Sequence, residues 1–163
     1  MAKEIERKFL VSSDGWRSQS DGGTVFRQGY VVAMPDRSVR IRIMDGRLAR
    51  LTIKLGSGSL IRDEFEYDIP IADAEELMPS AVGLVLDKTR YEVRHGGFLW
   101  EVDVYEGAYR GLVIAEVELE SAADTPDLPD WLGVEVTGDS RYSNQSLATE
   151  PLMVGHELSP SSR

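Results

Sequence analysis

Most of the chain alternates apolar and polar residues at a period of two, in short segments separated by turn residues. This pattern is typical of antiparallel strands rather than amphipathic helices, because side chains two residues apart on a strand point to the same face. Eight segments follow it: residues 4–11, 25–34, 38–44, 48–55, 61–69, 85–94, 98–105 and 113–120. Pairs such as Asp45-Gly46 and Gly96-Gly97 lie between them. Since such pairs form tight turns, hairpins are predicted to connect the strands.

Short helices are predicted at three places outside these strands. Asp73 precedes the sequence Ala-Glu-Glu-Leu, so residues 72–82 are predicted to contain a helix capped near Asp73. Residues 130–132 and 143–148 are the other two helical segments. Residues 1–150 are predicted to form one domain, followed by a weakly ordered tail over residues 151–163.

One face of most predicted strands is charged, and the opposite face is aliphatic. We call this set the charged face: Glu4, Glu6, Lys8, Arg40, Arg42, Arg50, Thr52, Lys54, Glu64, Glu66, Asp68, Lys88, Arg90, Glu92, Arg94, Glu101, Asp103, Glu116, Glu118 and Glu120. A sheet with one face in water explains any single strand, and Arg40 and Arg42 could then pair with Glu64 and Glu66 across a hairpin. The charges are however sorted by sign, whereas a solvated face usually mixes them with Ser, Thr and Gln. This sorting favours charged faces that point inward, although periodicity alone allows a barrel or an open sheet.

Composition narrows the possible functions. The net charge of −10 argues against a chain that contacts nucleic acid over a broad face. The absence of cysteine excludes disulfides, thiolate zinc sites and cysteine nucleophiles. The first ten residues lack the apolar stretch of a signal peptide, and no later run is long enough to span a bilayer. A soluble, cytoplasmic protein without membrane or nucleic-acid partners is therefore expected.

An acidic group beside a basic group inside one sheet has a direct chemical interpretation. Carboxylates are the hard oxygen ligands that hold Mg²⁺ or Mn²⁺, and arginine offers forked donors that match phosphate oxygens. An eight-stranded barrel has room for side chains and one small ligand. The charged face therefore predicts a site for a small triphosphate together with a divalent metal.

The same residues resemble the CYTH superfamily, also called the triphosphate tunnel metalloenzymes. Glu4-Ile-Glu6-Arg-Lys8 is similar to the family's Glu-x-Glu-x-Lys signature. Further matching motifs follow in the family's order: Arg40-Ile-Arg42, Thr52-Ile-Lys54, Glu64-Phe-Glu66, Lys88-Thr-Arg90-Tyr91, Glu101-Val-Asp103, Glu116-Val-Glu118 and Arg141-Tyr142. Together with Arg27-Gln28-Gly29-Tyr30, they most resemble the compact bacterial members linked to inorganic triphosphatase activity.

The resemblance implies a fold and a set of residue roles. The implied fold is all-β dominated (α+β): a closed eight-stranded antiparallel β-barrel, or tunnel, with a few short helices outside. The implied ligands of two Mg²⁺ or Mn²⁺ ions are Glu4, Glu6, Asp103, Glu116 and Glu118. The implied phosphate-binding residues are Lys8, Arg40, Arg42, Lys54, Arg90 and Arg141, and Glu64, Glu66 and Glu101 are expected to line the tunnel.

The expected activity is metal-dependent hydrolysis of the terminal phosphate of tripolyphosphate or a related triphosphate. As a separate hypothesis, Lys88 assists the attacking water, with Tyr30 as its helper. Thiamine triphosphate and nucleoside triphosphates stay open as substrates, as does a class IV-type adenylyl cyclase that makes cyclic AMP from ATP. A noncatalytic polyphosphate-binding module would not need the paired carboxylates, and a lipocalin-like carrier would need an apolar interior. The many apolar positions on the outer faces favour a homodimer.

Overall fold

A single antiparallel sheet dominates the computed structural model, which describes residues 5–56 and 63–150. Its strands are β1 Glu6–Val11, β2 Thr24–Met34, β3 Arg37–Met44, β4 Leu48–Leu55, β5 Asp63–Ile69, β6 Val82–His95, β7 Phe98–Tyr105, β8 Val113–Glu118 and β9 Leu132–Glu135. Two α-helices accompany them, α1 Ile71–Leu77 and α2 Asn144–Thr149. Short 3-10 helices lie at Arg17–Gln19, Met78–Ser80, Gly107–Tyr109 and Ser140–Tyr142.

The sheet is open, so the predicted closed barrel is wrong. Its strand order is β5-β4-β3-β2-β6-β7-β8-β1-β9, and within the described residues the two end strands do not pair with each other. The predicted number of eight strands is also wrong, because β9 adds a ninth along β1. Alternation cannot decide closure, since closure depends on strand tilt and on the register around the whole sheet.

The segment predicted as a helix at residues 130–132 leads into β9 instead. Trp131 packs edge-on against Trp100, with ring centroids 5.9 Å apart. Its carbonyl accepts a hydrogen bond from the backbone N–H of Ser12 at 3.0 Å. Residues 130 and 131 form a turn in which the backbone N–H of Leu132 donates to the Pro129 carbonyl at 3.2 Å, and pairing with β1 extends the chain from Leu132 onward.

The two other helical predictions are confirmed in position. The N-cap of α1 is Pro70, so the predicted cap at Asp73 is wrong, but Asp73 lies in the first turn, where a negative charge is favourable. The helix ends at Leu77, and a 3-10 helix over Met78–Ser80 that contains Pro79 follows it. Ser143 caps α2, because its Oγ accepts the backbone N–H of Ser146 at 3.1 Å.

The two faces of the sheet bury different clusters. The outer face packs Ile41 and Ile43 against α1 at one side, and Trp100 and Val117 against Trp16 and Trp131 at the other. Among the described residues, the charged face meets an apolar cluster at one end. We call it the apolar end, and its members include Tyr30, Leu86, Tyr105 and Leu147.

Helix α2 forms part of this apolar end and lies close to β6. Gly83 adopts a positive φ of 71°, and a Cβ there would collide with the carbonyl oxygen of Ala148. Only glycine therefore allows β6 to approach the helix this closely. The helix is thereby fixed at one end of the charged face.

Strand β8 is shorter than predicted. β8 ends at Glu118, and Glu120 lies in a turn where the Asp124 side chain accepts its backbone N–H at 3.0 Å. Glu120 therefore does not extend the charged face. Glu4 lies outside the described residues, as does the tail over 151–163. No helix in the described part of the chain is long and apolar enough to cross a membrane.

Candidate active site

The register of the sheet confirms that the predicted charged residues share one face. Directly opposite one another are Glu6 and Glu118, Lys8 and Glu116, Glu116 and Glu101, Asp103 and Arg90, Arg42 and Gln28, Arg40 and Thr52, and Lys54 and Glu64. The central part of this face is enclosed, because Lys88, Asp103 and Arg42 keep only 1%, 2% and 8% of their surface exposed. A flat sheet would leave these side chains in water, so the charged face is the concave one.

Asp103 is the central anion of the site. Its Oδ2 accepts a hydrogen bond from Lys88 Nζ at 2.7 Å, and its two oxygens accept the forked guanidinium of Arg90 at 2.7 and 2.9 Å. Burial alone would raise the pKa of Asp103, but the two cations hold it well below its ordinary value. Asp103 is therefore ionised, and it neutralises the positive charges of Lys88 and Arg90.

Lys88 has a second partner from the C-terminal part of the chain. Its Nζ donates to Asn144 Oδ1 at 3.3 Å, and the Tyr105 hydroxyl donates to the same oxygen at 2.7 Å. Burial lowers the pKa of Lys88 to about 7, although Asp103 opposes this shift. An ammonium has three N–H donors, so two of them are committed to Asp103 and Asn144 and one is left to hold a ligand.

Carboxylates gather where β1 meets β8. Lys8 Nζ lies 3.9 Å from Glu116 Oε2, and the Glu6 side chain shares a hydrogen bond with Glu116. Burial would raise the pKa of Glu116, but Lys8 and the hydrogen bond with Glu6 hold it below its ordinary value. Glu101, opposite Glu116, has its pKa raised by burial, and Arg90 Nη1 lies 3.3 Å from it.

These carboxylates fit a divalent cation by their chemistry. Glu6 and Glu116 are hard oxygen donors in contact, an arrangement that a shared proton or a bound cation stabilises. Asp103 does not fit in the same way, since Lys88 and Arg90 already occupy its oxygens. Within residues 5–56 and 63–150 no three acidic or histidine side chains cluster closely enough to hold a metal. Glu118 is exposed at the end of β8, and the predicted ligand Glu4 is not described.

Arg40 and Arg42 of β3 differ from these cations, because their side chains contact neutral groups. Arg42 Nε donates to Gln28 Oε1 at 3.0 Å and Arg40 Nη2 lies 3.4 Å from Thr52 Oγ1, so neither forms an ion pair with a described carboxylate. The alternative of pairing with Glu64 and Glu66 is wrong, because β4 lies between them. Burial, together with Arg40 and Arg90, lowers the pKa of Arg42 to about 9. Arg42 is still protonated at neutral pH.

The carboxylates of β5 are bound by the cations of β4. Lys54 Nζ lies 3.5 Å from Glu64, and Arg50 lies 3.6 Å from Glu66 and 3.2 Å from Asp68. Glu66 also accepts the Thr52 hydroxyl at 3.2 Å. This edge of the charged face is more exposed than its centre, so its ion pairs are screened by water.

Two predicted site residues occupy less central positions. Arg141 is exposed in the 3-10 helix at Ser140–Tyr142, and its Nη2 lies 2.8 Å from Asp139. The neighbouring Tyr142 carbonyl accepts Lys8 Nζ at 3.1 Å, so this helix borders the site. Tyr30 is buried in the apolar end, where it packs with Leu147 and other members of that cluster.

Three residues of the site were not predicted. Phe26 lies under three cations, with its ring centroid 4.6 Å from Arg42 Cζ, 5.0 Å from Arg90 Cζ and 5.8 Å from Lys88 Nζ. Gln28, fully buried, follows on the same face of β2. Counting back from Tyr30 along β2 in steps of two would have identified both residues. Asn144 has no such signal, because it reaches Lys88 from a distant segment.

Comparison with known proteins agrees with this arrangement. An inorganic triphosphatase from Acetivibrio thermocellus is 43% identical over 152 residues, which cover 93% of this chain and 96% of the relative. An inorganic triphosphatase from Nitrosomonas europaea is 39% identical over 151 residues, covering 89% and 96%. The crystal structure of the inorganic triphosphatase NE1496 matches with a TM-score of 0.65 at 35% identity, covering 91% of this chain and 95% of that one. The CYTH domain profile matches residues 2–150, and the chain therefore belongs to the CYTH domain family.

Proposed function

We propose that this chain is a metal-dependent inorganic triphosphatase that hydrolyses the terminal phosphoanhydride bond of tripolyphosphate. The observation that carries the proposal is the pair Arg40 and Arg42, which lie on the charged face without a carboxylate partner among the described residues. A buried guanidinium without a counter-ion favours binding of an anion. The names of the relatives from Acetivibrio thermocellus and Nitrosomonas europaea support tripolyphosphate as that anion.

Arg40 and Arg42 would form the first contact with the phosphate chain. Their forked N–H groups match phosphate oxygens and act strongly where water is excluded. Lys8, Lys54, Arg90 and Arg141 are assigned to the same task around this pair. Each of these four already has an acidic partner in the protein, so its attraction to phosphate is weaker than that of Arg42.

The paired glutamates are assigned to the metal. Glu6 and Glu116, with Glu4 and Glu118, would hold Mg²⁺ or Mn²⁺ through carboxylate oxygens. A bound divalent ion offsets the negative charge of the phosphoryl group that is transferred. Asp103 would join these ligands only by giving up Lys88 or Arg90, so in the present arrangement we assign it to positioning these two cations.

Lys88 is assigned to the reacting end of the substrate. Asp103 and Asn144 fix its Nζ, and its remaining N–H is available to hold the attacking water or a phosphate oxygen. Its full burial excludes bulk water from this point. Tyr30 limits the site on the side of the apolar end.

The deciding experiment measures orthophosphate and pyrophosphate release from tripolyphosphate, ATP and thiamine triphosphate with Mg²⁺, Mn²⁺ or EDTA. We expect orthophosphate from tripolyphosphate with either metal and none with EDTA. Cyclic AMP and pyrophosphate from ATP would replace the proposal with a cyclase. Tight tripolyphosphate binding without turnover under any metal would leave a binding module.

A matched pair of variants ties the activity to the charged face. Arg42→Ala and Arg47→Ala each remove one arginine, but Arg47 is exposed in the turn between β3 and β4. Glu116→Gln should in addition weaken the metal dependence of the activity. An Arg42→Ala protein with the kinetics of Arg47→Ala would contradict the proposed site.

The predicted homodimer stays a prediction. Leu55, Phe65 and Tyr67 lie exposed on the outer side of β4 and β5, with 40%, 37% and 55% of their surface accessible. Apolar surface of this kind is typical of contact regions. Light scattering of the purified protein measures its mass directly, and a mass of 18.1 kDa would contradict the dimer.

A further inference from the structure

Gln28 lies on β2 where the charged face meets the apolar end, and it is fully buried. Its Oε1 accepts a hydrogen bond from Arg42 Nε at 3.0 Å. A guanidinium can only donate, so the amide oxygen must face Arg42. This contact therefore fixes the orientation of the whole amide and directs Nε2 away from Arg42.

The Gln28 Nε2 group has no hydrogen-bond partner within the described chain. A second buried donor without a partner is Arg40 Nε, which lies two residues before Arg42 on the same face of β3. The two others are the indole nitrogens of Trp16 and Trp100, which belong to the outer apolar cluster. Buried donors are normally satisfied, so two unpartnered ones at diagonal positions of β2 and β3 on the charged face point to an acceptor supplied by a ligand.

The position of Gln28 along β2 indicates which part of the ligand it meets. On one side lies Phe26, whose ring makes cation–π contacts with Arg42, Arg90 and Lys88. On the other side lies the apolar end, which begins with Tyr30 and with Leu86, directly opposite Gln28 on β6. Gln28 is thus the last polar side chain of β2 before the site closes.

We propose that Gln28 is a substrate-binding residue whose Nε2 donates to an oxygen of the terminal phosphate at the closed end of the site. This assignment rests on the proposed function, because it takes the anion to be a polyphosphate. An amide adds a donor without adding charge, which suits a place already crowded by the charges of Arg40, Arg42 and Arg90. The side chains just beyond it belong to the apolar end and offer no cation for a further phosphate, so we assign the terminal phosphate to this place.

Two substitutions separate this role from a purely structural one. Gln28→Glu keeps the size of the side chain and the acceptor for Arg42 but replaces the donor by an oxygen that repels phosphate. Gln28→Met removes both donor and acceptor without adding charge. A substrate-binding residue predicts that both variants lose tripolyphosphate affinity, by about tenfold or more, as expected for a lost hydrogen bond to a charged group.

The measurements are KM and kcat with tripolyphosphate, and the rise in the unfolding midpoint that tripolyphosphate causes in EDTA. Gln19→Glu is the matched control, since it makes the same chemical change at an exposed position. The unfolding midpoints of the free variants report whether each protein is folded.

Each outcome decides the assignment. Loss of affinity in both variants, with wild-type affinity in Gln19→Glu, is the expected result. Wild-type affinity in Gln28→Glu with a loss in Gln28→Met would mean that Gln28 only supports Arg42. A loss in Gln28→Glu with wild-type affinity in Gln28→Met would mean a general effect of charge. Either result overturns the assignment of Gln28 but leaves the proposed function intact. A wild-type protein that neither binds nor hydrolyses tripolyphosphate would overturn the proposed function itself.

Discussion

The two halves of the charged face differ in how their cations are neutralised. In the half formed by β6, β7 and β8, Lys88 and Arg90 share the carboxylate of Asp103 at 2.7 Å. In the half formed by β2 and β3, Arg40 and Arg42 have only neutral partners among the described residues. We call these the neutralised half and the cationic half.

The difference separates positioning from binding. A buried ion pair gains little net stability but fixes geometry, because each partner compensates the desolvation of the other. A buried cation without an ion-pair partner destabilises the free protein, and binding of an anion beside it releases the largest free energy. The neutralised half is thus suited to hold catalytic groups in place, and the cationic half to provide affinity for phosphate.

The largest expected effect concerns the cationic half. Arg42→Met should lower kcat/KM for tripolyphosphate by about 10²–10³-fold, as for removal of a preorganised charged donor. The free energy of unfolding in EDTA should stay equal or rise, because an uncompensated charge has been removed. Steady-state kinetics and urea unfolding measure the two quantities. A clear loss of stability would mean that Arg42 is compensated in the free protein.

The neutralised half should respond in the opposite way. Asp103→Asn leaves the cations of Lys88 and Arg90 buried without their anion, and should lower the free energy of unfolding by about 3 kcal/mol. Urea unfolding in EDTA measures the change without a contribution from metal. Asp87→Asn, at an exposed position of β6, is the control. Equal stability of the two variants would contradict the comparison.

Phe26 connects the two halves, since its ring contacts Arg42 from one and Arg90 and Lys88 from the other. Phe26→Leu keeps an apolar side chain but removes the π-system, and should raise KM about tenfold, because each cation–π contact contributes about 0.5–2 kcal/mol. Phe26→Tyr should restore most of the affinity. Phe98→Leu, on β7, should leave KM unchanged, and an equal rise in KM there would exclude a specific role of the Phe26 ring.

The smallest effect is expected outside the charged face, at the pair that joins β9 to β1. Arg7 donates to Glu135 at 2.7 and 2.8 Å and, with Thr137, lowers the pKa of Glu135 to about 2. A lowered pKa stabilises the fold above the unfolded value of about 4 and loses this contribution as the pH falls towards 2. Glu135→Gln should lower the free energy of unfolding at pH 7 by about 0.5 kcal/mol, since the pair is partly exposed.

The pH dependence provides the control for this last prediction. The difference between wild type and Glu135→Gln should disappear between about pH 4 and pH 2, and it should not change between pH 6 and pH 8. Urea unfolding over this pH series measures it. A difference that persists at pH 2 would mean that the pair acts through packing rather than charge.

The sequence predicted the elements whose pattern is local. The alternation of Arg40 and Arg42 with Val39 and Ile41 was sufficient for β3, and the short helix predicted at residues 143–148 is present as α2. It did not predict β9, because this strand forms by pairing with β1, which lies more than a hundred residues away in the chain. It also missed Gln28 and Phe26, since amide and aromatic side chains on a strand usually indicate packing.

By itself the sequence determined which residues share a face, because a strand has a period of two whatever surrounds it. It also determined that carboxylates and arginines would line that face, which the register confirms. Only the tertiary structure decided that the sheet is open, that Asp103 forms ion pairs with Lys88 and Arg90, and that Asn144 contacts Lys88. The physical reason is that closure and ion-pair choice depend on distances between strands far apart in the chain, and an alternating pattern carries no information about those distances.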